Sequence, residues 1–359
     1  MTNLFSPIRL GDLDLPNRIF MAPLTRSRAG AARIPNELMA EYYRQRASAG
    51  LILTEATVVS PQGIGYADTP GVWSDQQVEG WKLTTRAVHA AGGHIFLQLW
   101  HVGRVSDPLF LDGALPVAPS PIAPKGHVSL VRPEKDFVVP RPLAREELAG
   151  VVEAFRRGAQ NAQVAGFDGV ELHGANGYLL DQFLQDSSNH RDDEYGGVIE
   201  NRARLLLDAT DAVISVWGAN RVGVHLAPRG DAHDMGDTNA LATFGYVAEQ
   251  LGARRIAFIA AREHTGAGRI GPELKRRFGG TYVANEGFDR ATADAAIAAG
   301  EADAVAFGKL FIANPDLPAR FARDAALNPP RFDGFYAGGA YGYTDYPSLP
   351  AAERERASA

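Results

Sequence analysis

Short apolar runs that end in polar residues or Gly recur along the whole 359-residue chain, and they constrain its fold more than any other feature. Strands that are apolar almost throughout are typical of a parallel sheet buried on both faces. The eight runs are Ile19–Thr25, Gly50–Ala56, His94–Trp100, Gly169–His173, Val222–Ala227, Arg255–Ala260, Thr281–Asn285 and Ala304–Gly308. Helical patterns lie between them, and strand–helix units in this number predict an α/β fold, a (β/α)8 TIM barrel. A doubly wound sheet is the weaker alternative, because no Gly-x-Gly-x-x-Gly follows the first strand.

Local signals place several helix boundaries. Ser74 followed by Gln77 has the spacing of a capping box that opens a helix. Asn314-Pro315 has the order of an N-cap followed by proline in the first turn. Five glycines that follow helical patterns predict helix C-termini. They are Gly92, Gly166, Gly218, Gly252 and Gly300.

Two segments interrupt the regular alternation. Asp107–Pro142 follows the third strand, is rich in proline and contains the strand-like piece His127–Val131, so we expect a lid or hairpin insertion over the barrel mouth. Gly174–Glu200 follows the fourth strand and should carry a short helix, Tyr178–Leu184. We expect residues 1–350 to form a single barrel domain and residues 351–359 to be a charged, flexible tail.

Composition excludes several classes of protein. The formal net charge of −6 argues against nucleic-acid binding, which normally needs a basic surface. Without cysteine the chain has no disulfide framework and no thiolate metal site. The N-terminus lacks a signal-peptide pattern, and no apolar run approaches the ~18 residues of a membrane span. These features predict a cytoplasmic protein that does not bind a membrane, as a monomer or a homodimer.

The carboxyl ends of barrel strands carry catalytic groups in this fold. Here the most informative stretch is His173-Gly-Ala-Asn176-Gly-Tyr178, directly after the fourth strand. If the backbone curls into a helical turn, His173 and Asn176 reach one oxygen atom together, and Tyr178 is a neutral proton donor beside them. Few carboxylates occur at the strand ends, which argues against a paired-carboxylate hydrolase. The set favours reduction chemistry, for which a cofactor must supply the hydride.

The loops after the last two strands have the composition of a phosphate site. They are Asn285-Glu-Gly287 and Phe307-Gly308-Lys309, which combine glycine with a cation. In barrels these loops commonly bind phosphate through backbone N–H groups. Position alone therefore indicates a phosphate-bearing cofactor.

Several stretches spread over nearly the whole chain are typical of one known family. They are Asn17–Thr25, Gln98–Arg104, Gly166–Tyr178, Asn189–Gly197, Ile312–Leu317 and Gly342-Tyr-Thr-Asp-Tyr-Pro347. In these stretches the chain resembles the old yellow enzyme family of FMN-dependent ene-reductases. Within that family it looks closest to the bacterial branch of xenobiotic, nitrate-ester and N-ethylmaleimide reductases.

The resemblance implies tightly but non-covalently bound FMN at the barrel mouth. By position, the cofactor-binding residues are Pro23, Leu24, Thr25, Ala56, Gln98, His225, Asn285, Glu286, Phe307, Gly308 and Lys309. Many family members carry Arg at the position of His225, where it faces the flavin N1–O2 edge. We expect His225 to donate a hydrogen bond there, with help from Arg229. Lys309 keeps the charge of an Arg that is common at its position but loses the planar fork.

The resemblance also implies a reaction. NAD(P)H reduces the flavin, and flavin N5 then gives hydride to an electrophilic alkene or nitro compound. The substrate classes are enones, maleimides, nitrate esters and nitroaromatics. His173 and Asn176 hold the activating oxygen, and Tyr178 supplies the proton. Tyr66, Trp100 and Tyr343 match positions that shape the family's substrate pocket.

Three alternatives come from other functional classes. A metal-dependent barrel hydrolase could use His101, His173 and His225 as zinc ligands, although the first strand lacks His-x-His. A Schiff-base aldolase could use Lys309. A non-catalytic flavin protein would bind the cofactor without being reduced by NAD(P)H. Our preferred interpretation has no metal site.

Overall fold

The fold is a parallel barrel surrounded by helices, seen in a computed structural model that describes residues 2–336 and 338–350. Its strands are β1 Ile8–Leu10, β2 Leu13–Leu15, β3 Ile19–Met21, β4 Ile52–Leu53, β5 Thr57–Val58, β6 Ile95–Trp100, β7 Val117–Ala118, β8 Arg141–Pro142, β9 Gly169–Gly174, β10 Val222–Leu226, β11 Phe258–Arg262, β12 Thr281–Asn285 and β13 Ala304–Phe307. Its α-helices are α1 Glu37–Arg44, α2 Asp75–Ala90, α3 Arg145–Val164, α4 Leu179–Leu184, α5 Ile199–Arg202, α6 Arg204–Trp217, α7 Ala240–Ala253, α8 Gly271–Phe278, α9 Arg290–Ala298, α10 Lys309–Ala313 and α11 Leu317–Arg323.

The barrel consists of parallel strands that close on themselves. Its order is β3, β4, β6, β9, β10, β11, β12 and β13, and β13 pairs with β3 again. The closure confirms the predicted (β/α)8 barrel. Register places the ends of neighbouring strands side by side: His173 lies opposite His225, and Arg262 lies opposite Asn285. Residues far apart in sequence therefore meet at the carboxyl edge.

Two apolar cores hold the barrel together. One fills its interior and includes Phe20, Phe96 and Phe258; the other lies between the strands and the surrounding helices. The antiparallel hairpin β1–β2 packs into the interior core. It sits at the amino ends of the strands, where the backbone of Gly11 approaches the carbonyl of Asn220 closely. The hairpin thus covers the bottom of the barrel and leaves the carboxyl end for the site.

Some predicted boundaries are confirmed and two are wrong. The capping box of Ser74 and Gln77 opens α2 as predicted. Gly252 lies inside α7 instead of ending it. Glycine is needed there for close packing, since a Cβ would be 2.3 Å from the carbonyl oxygen of Phe278. The left-handed residue after α7 is Arg255.

The helix predicted at Asn314-Pro315 begins later. It is α11, which starts at Leu317 and carries Pro318 in its first turn. The side chain of Asn314 accepts a hydrogen bond from the backbone of Asn328 and donates one to the carbonyl of Leu310. Asn314 therefore ties neighbouring segments together, and it is the C-cap of α10 instead of the N-cap of α11.

The insertion after the third barrel strand lies beside the mouth. Its strand-like piece His127–Val131 forms no strand; it contributes one antiparallel bridge, from His127 to Asp136. The insertion reaches the loop after the fifth barrel strand, where Phe137 contacts the ring of His233 edge-on. The helix predicted in the next long segment is present as α4.

The tail, residues 351–359, lies outside the described residues. Among the helices that the structure does describe, none combines the length and apolarity needed to cross a bilayer.

Candidate active site

A cavity of about 790 Å³ opens at the carboxyl end of the barrel strands. Its volume falls within the range of ~300–1,000 Å³ that is usual for small-molecule sites. The structure places these predicted site residues in its lining: Pro23, Leu24, Thr25, Ala56, Gln98, Trp100, His173, Asn176, Tyr178, His225, Asn285, Glu286, Phe307, Gly308 and Lys309. Tyr66 and Tyr343 are not part of the lining. The lining also includes residues that the sequence analysis missed, above all Arg262, His264, Phe335 and Tyr336.

A tight turn carries the central motif. Asn176 and Gly177 both have positive φ, 58° and 76°, and the N–H of Tyr178 donates to the carbonyl of Ala175 at 3.2 Å. This arrangement is that of a type I′ turn, so the backbone does not form the helical turn that was the condition for a shared oxygen. The dipeptide Asn-Gly is the usual signal for such a turn. The turn still brings His173, Asn176 and Tyr178 to the same cavity.

Neighbouring side chains hold this turn rigidly. Asp181 accepts a hydrogen bond from the backbone N–H of Gly177 at 2.9 Å. Gln182 donates to the carbonyl of Gly177 at 2.7 Å and to that of Val102 at 3.0 Å. Both anchors lie on α4, the helix that follows the motif directly. The motif is therefore fixed by its own downstream helix and by the loop after the third barrel strand.

His173 and Tyr178 line the cavity as neutral hydrogen-bonding groups. Burial lowers the pKa of His173 well below its usual value, and the nearby imidazole of His225 and guanidinium of Arg262 lower it further. Burial also raises the pKa of Tyr178 well above its usual value. At neutral pH the imidazole therefore carries one N–H, and the phenol keeps its proton. The ring of Tyr178 packs edge-on against His173 and Trp100, with centroids 4.8 and 4.9 Å apart.

A buried polar chain runs beneath the cavity. The amide nitrogen of Gln98 lies 2.7 Å from Oε2 of Glu171 and 3.2 Å from Nδ1 of His225. Because an amide NH2 only donates, Nδ1 of His225 accepts, and the neutral imidazole must carry its proton on Nε2. Burial lowers the pKa of His225 to about 3 and raises that of Glu171 to about 8. The Nε2 donor of His225 has no partner in the described part of the chain.

Arg262 is the main lining residue that the sequence analysis missed. The sixth apolar run was assigned an end at Ala260, whereas β11 continues to Arg262. Arg229, expected to help His225, does not line the cavity. It pairs with Glu263 at 2.8 Å and donates to the carbonyls of nearby loop residues. That expectation is wrong, and the cation at the mouth on this side is Arg262.

Two aromatic residues lie away from the lining. The hydroxyl of Tyr66 is 3.0 Å from that of Tyr178, so Tyr66 stands behind the phenol of the motif. Tyr343 is fully buried and stacks on Tyr42 with ring centroids 4.0 Å apart. Its predicted place in the substrate pocket is wrong, because its ring packs inside the protein next to Arg26. Tyr336, from the same C-terminal segment, lines the cavity instead.

The proposed zinc ligands do not form a metal site. Nδ1 of His101 accepts a hydrogen bond from the backbone of Gly103, and this side chain does not line the cavity. No group of three or more His, Cys, Asp or Glu that could hold a metal ion occurs within residues 2–336 and 338–350. The hydrolase alternative therefore has no support.

The residues present fit FMN on several counts. Three buried ring nitrogens of lining side chains have no hydrogen-bond partner among the described residues: Trp100 Nε1, His173 Nδ1 and His225 Nε2. Such atoms are costly to bury unless a ligand or water satisfies them. Opposite them, Lys309 lines the cavity next to Gly308 and Gly287, and no salt bridge to it is found in the described ranges. One end of the cavity thus offers neutral donors, and the other offers a cation for a phosphate.

Fold and cavity together define a barrel oxidoreductase with a cofactor site at its mouth. Residues 3–328 match the family described as "NADH:flavin oxidoreductase / NADH oxidase". The chain is 42% identical to 12-oxophytodienoate reductase 1 of Oryza sativa subsp. japonica over 98% of its own length and 94% of the relative. It is also 42% identical to 12-oxophytodienoate reductase 2 of Arabidopsis thaliana, over 96% of each.

Solved structures agree with these relatives. The old yellow enzyme homologue of Zymomonas mobilis superposes with a TM-score of 0.94 at 45% identity, over 97% of this chain and 100% of that one. Morphinone reductase in complex with tetrahydroNAD gives a TM-score of 0.94 at 46% identity, over 98% and 99%. The chain belongs to the NADH:flavin oxidoreductase / NADH oxidase family and is an FMN-dependent ene-reductase of the old yellow enzyme type. Its reductant is NAD(P)H.

Proposed function

We propose that this enzyme reduces the activated C=C bonds of enones and maleimides and also accepts nitrate esters or nitroaromatics. The observation that carries this proposal is the convergence of His173, Asn176 and Tyr178 on one cavity, all as neutral groups. Each of these substrates presents an oxygen acceptor next to the bond that is reduced. The proposed membership of the xenobiotic-reductase branch rests on the sequence motifs alone.

His173 and Asn176 bind the carbonyl or nitro oxygen by donating hydrogen bonds. As negative charge develops on that oxygen during reduction, the two bonds strengthen, which is electrostatic stabilisation of the oxyanion-hole kind. The depressed pKa of His173 keeps the imidazole neutral, so its contribution is a hydrogen bond and not a full charge. The hydride would come from FMN held in this cavity, after its reduction by NAD(P)H.

Tyr178 acts as the general acid that protonates the α carbon. Its raised pKa keeps the proton on the phenol at neutral pH, and the contacts with Trp100 and His173 fix the direction of the ring. Around the cofactor, Nε2 of His225 would donate to the pyrimidine edge and Lys309 would bind the phosphate. Trp100 and Tyr336 would shape the part of the cavity that receives the substrate.

The test is direct and separates this proposal from its rivals. Purified protein should be yellow, should bleach on anaerobic titration with NADPH, and should recover its colour when 2-cyclohexenone or N-ethylmaleimide is added. A yellow protein that NADPH cannot bleach would be a flavin binder without this activity. Trapping of Lys309 by borohydride with an aldehyde substrate would favour the aldolase alternative.

A further inference from the structure

Arg262 connects two loops at the cavity mouth through a pair of hydrogen bonds. Its Nη1 donates to Oδ1 of Asn176 at 2.9 Å, and its Nη2 donates to Oε1 of Glu286 at 2.9 Å. The side chain is about one-third exposed and lines the cavity. The guanidinium therefore lies between the turn after the fourth barrel strand and the loop after the seventh.

The bond to Asn176 decides which way the amide faces. A guanidinium has donors only, so the atom of Asn176 turned towards it must be the carbonyl oxygen. The NH2 of the same amide then faces away from Arg262. The main chain of Asn176 is also fixed: its carbonyl lies 2.8 Å from Nδ1 of His233, and the turn imposes a positive φ. With the main chain fixed, the side-chain amide can still rotate. The hydrogen bond from Arg262 restricts that rotation.

We propose that Arg262 is a positioning residue that orients the amide of Asn176 so that its NH2 meets the substrate oxygen. This inference rests on the proposed function, in which Asn176 binds that oxygen. An amide that is free to turn could present its carbonyl oxygen to the substrate oxygen, and two acceptors repel each other. Glu286 holds the second edge of the guanidinium, so the three side chains form one unit.

A double-mutant cycle separates positioning from a general structural role. The variants are Arg262→Met, Asn176→Ala and the pair, each as the FMN-loaded enzyme. Stopped-flow reoxidation of the reduced enzyme at increasing 2-cyclohexenone gives an apparent Kd and a limiting rate. Arg262→Met should reduce the limiting rate divided by the apparent Kd roughly 10-fold, as expected for loss of a hydrogen bond to a charged group. In the Asn176→Ala background the same change should have almost no effect, because residues that act as a unit are not additive.

Equal losses in both backgrounds would overturn the inference, because they would show that Arg262 does not act through Asn176. Arg254→Met is the matched control, since Arg254 forms a two-pronged pair with Asp211 on the outside of the barrel. If Arg262→Met fails to retain flavin, Arg262→Lys replaces it in the cycle. That variant keeps the charge and at least one donor, so its smaller loss should likewise vanish in the Asn176→Ala background.

The cycle also distinguishes this inference from the proposed function. If reduced wild-type enzyme is not reoxidised by 2-cyclohexenone or N-ethylmaleimide, the proposed function fails. If wild type is reoxidised and Asn176→Ala slows it, the proposed function survives whatever Arg262→Met does. The rate of flavin reduction by NADPH is measured in parallel for each variant, so that the loss in reoxidation is obtained separately from any change in flavin reduction.

Discussion

Replacement of Tyr178 by Phe tests the proposed proton donor with little other disturbance. The substitution keeps the ring, and with it the edge-on packing against Trp100 and His173. It removes one hydroxyl, whose partner is the hydroxyl of Tyr66 at 3.0 Å. The expected cost to folding is therefore that of one hydrogen bond, about 1 kcal/mol. The protein should fold and bind FMN normally.

The expected kinetic effect is much larger than the structural one. A positioned general acid typically contributes ~10²–10⁴-fold to a rate. Because Tyr178 acts only when the substrate is protonated, reoxidation by 2-cyclohexenone should slow by that factor, and flavin reduction by NADPH should be unchanged. Burial keeps the phenol protonated well beyond neutral pH, so the wild-type rate should show no ionisation of this group near neutrality.

Anaerobic stopped-flow spectroscopy measures the two half-reactions separately through the flavin absorbance. Tyr195→Phe is a suitable control, because Tyr195 also has one hydroxyl partner, Asp208 at 3.3 Å, but lies outside the cavity. If Tyr178→Phe leaves reoxidation within twofold of wild type, another group delivers the proton and the assignment of Tyr178 is wrong. If it slows flavin reduction equally, the substitution acts by disturbing the site and not by removing an acid.

Three further predictions concern the surroundings of the site. Tyr66→Phe removes the hydroxyl next to that of Tyr178. It should slow reoxidation by less than Tyr178→Phe does and leave flavin reduction unaffected. Equal slowing of reoxidation by the two variants would contradict this prediction. His225→Ala should lower the flavin reduction potential by roughly 20 mV, taking ~1 kcal/mol for the lost hydrogen bond and ~30 mV per 1.4 kcal/mol. An unchanged potential in a dye-coupled titration would refute the donor role of His225. Glu171→Gln should gain thermal stability relative to wild type as pH rises from about 5 to about 8. Burial raises the pKa of Glu171 to about 8 in the folded protein, above its value in the unfolded chain. Its contribution to stability is therefore complete at low pH and is lost between the two pKa values, because the unfolded chain releases this proton first. A difference in Tm between Glu171→Gln and wild type that stays constant from pH 5 to pH 8 would contradict this prediction.

Much of the architecture follows from local patterns. Apolar runs bounded by polar residues gave all the barrel strands to within a few residues, because burial on both faces demands apolar residues at consecutive positions. The motif from His173 to Tyr178 could be recognised as a site because it places three hydrogen-bonding side chains at the carboxyl end of a barrel strand, where this fold carries its catalytic groups. Even its turn could have been predicted from Asn176-Gly177, since that dipeptide tolerates positive φ.

Other features depend on contacts between distant parts of the chain. Arg262 and Asn176 are 86 residues apart, and they meet only because of the register of the strands between them. Gln98, Glu171 and His225 form one polar chain because three neighbouring strands point these side chains into the same barrel interior. Tyr343 lies in the core because it stacks on Tyr42. No local pattern carries that information.

The sequence by itself thus determined the barrel, the edge where chemistry occurs and the residue types available there, because secondary structure and strand ends follow from local periodicity. The tertiary structure decided which of those side chains reach the cavity and how each is oriented. Orientation depends on partners such as Arg262 for Asn176 and Gln98 for His225. A hydrogen bond sets direction only when both partners are in place, and strand register, which joins residues distant in sequence, brings them there.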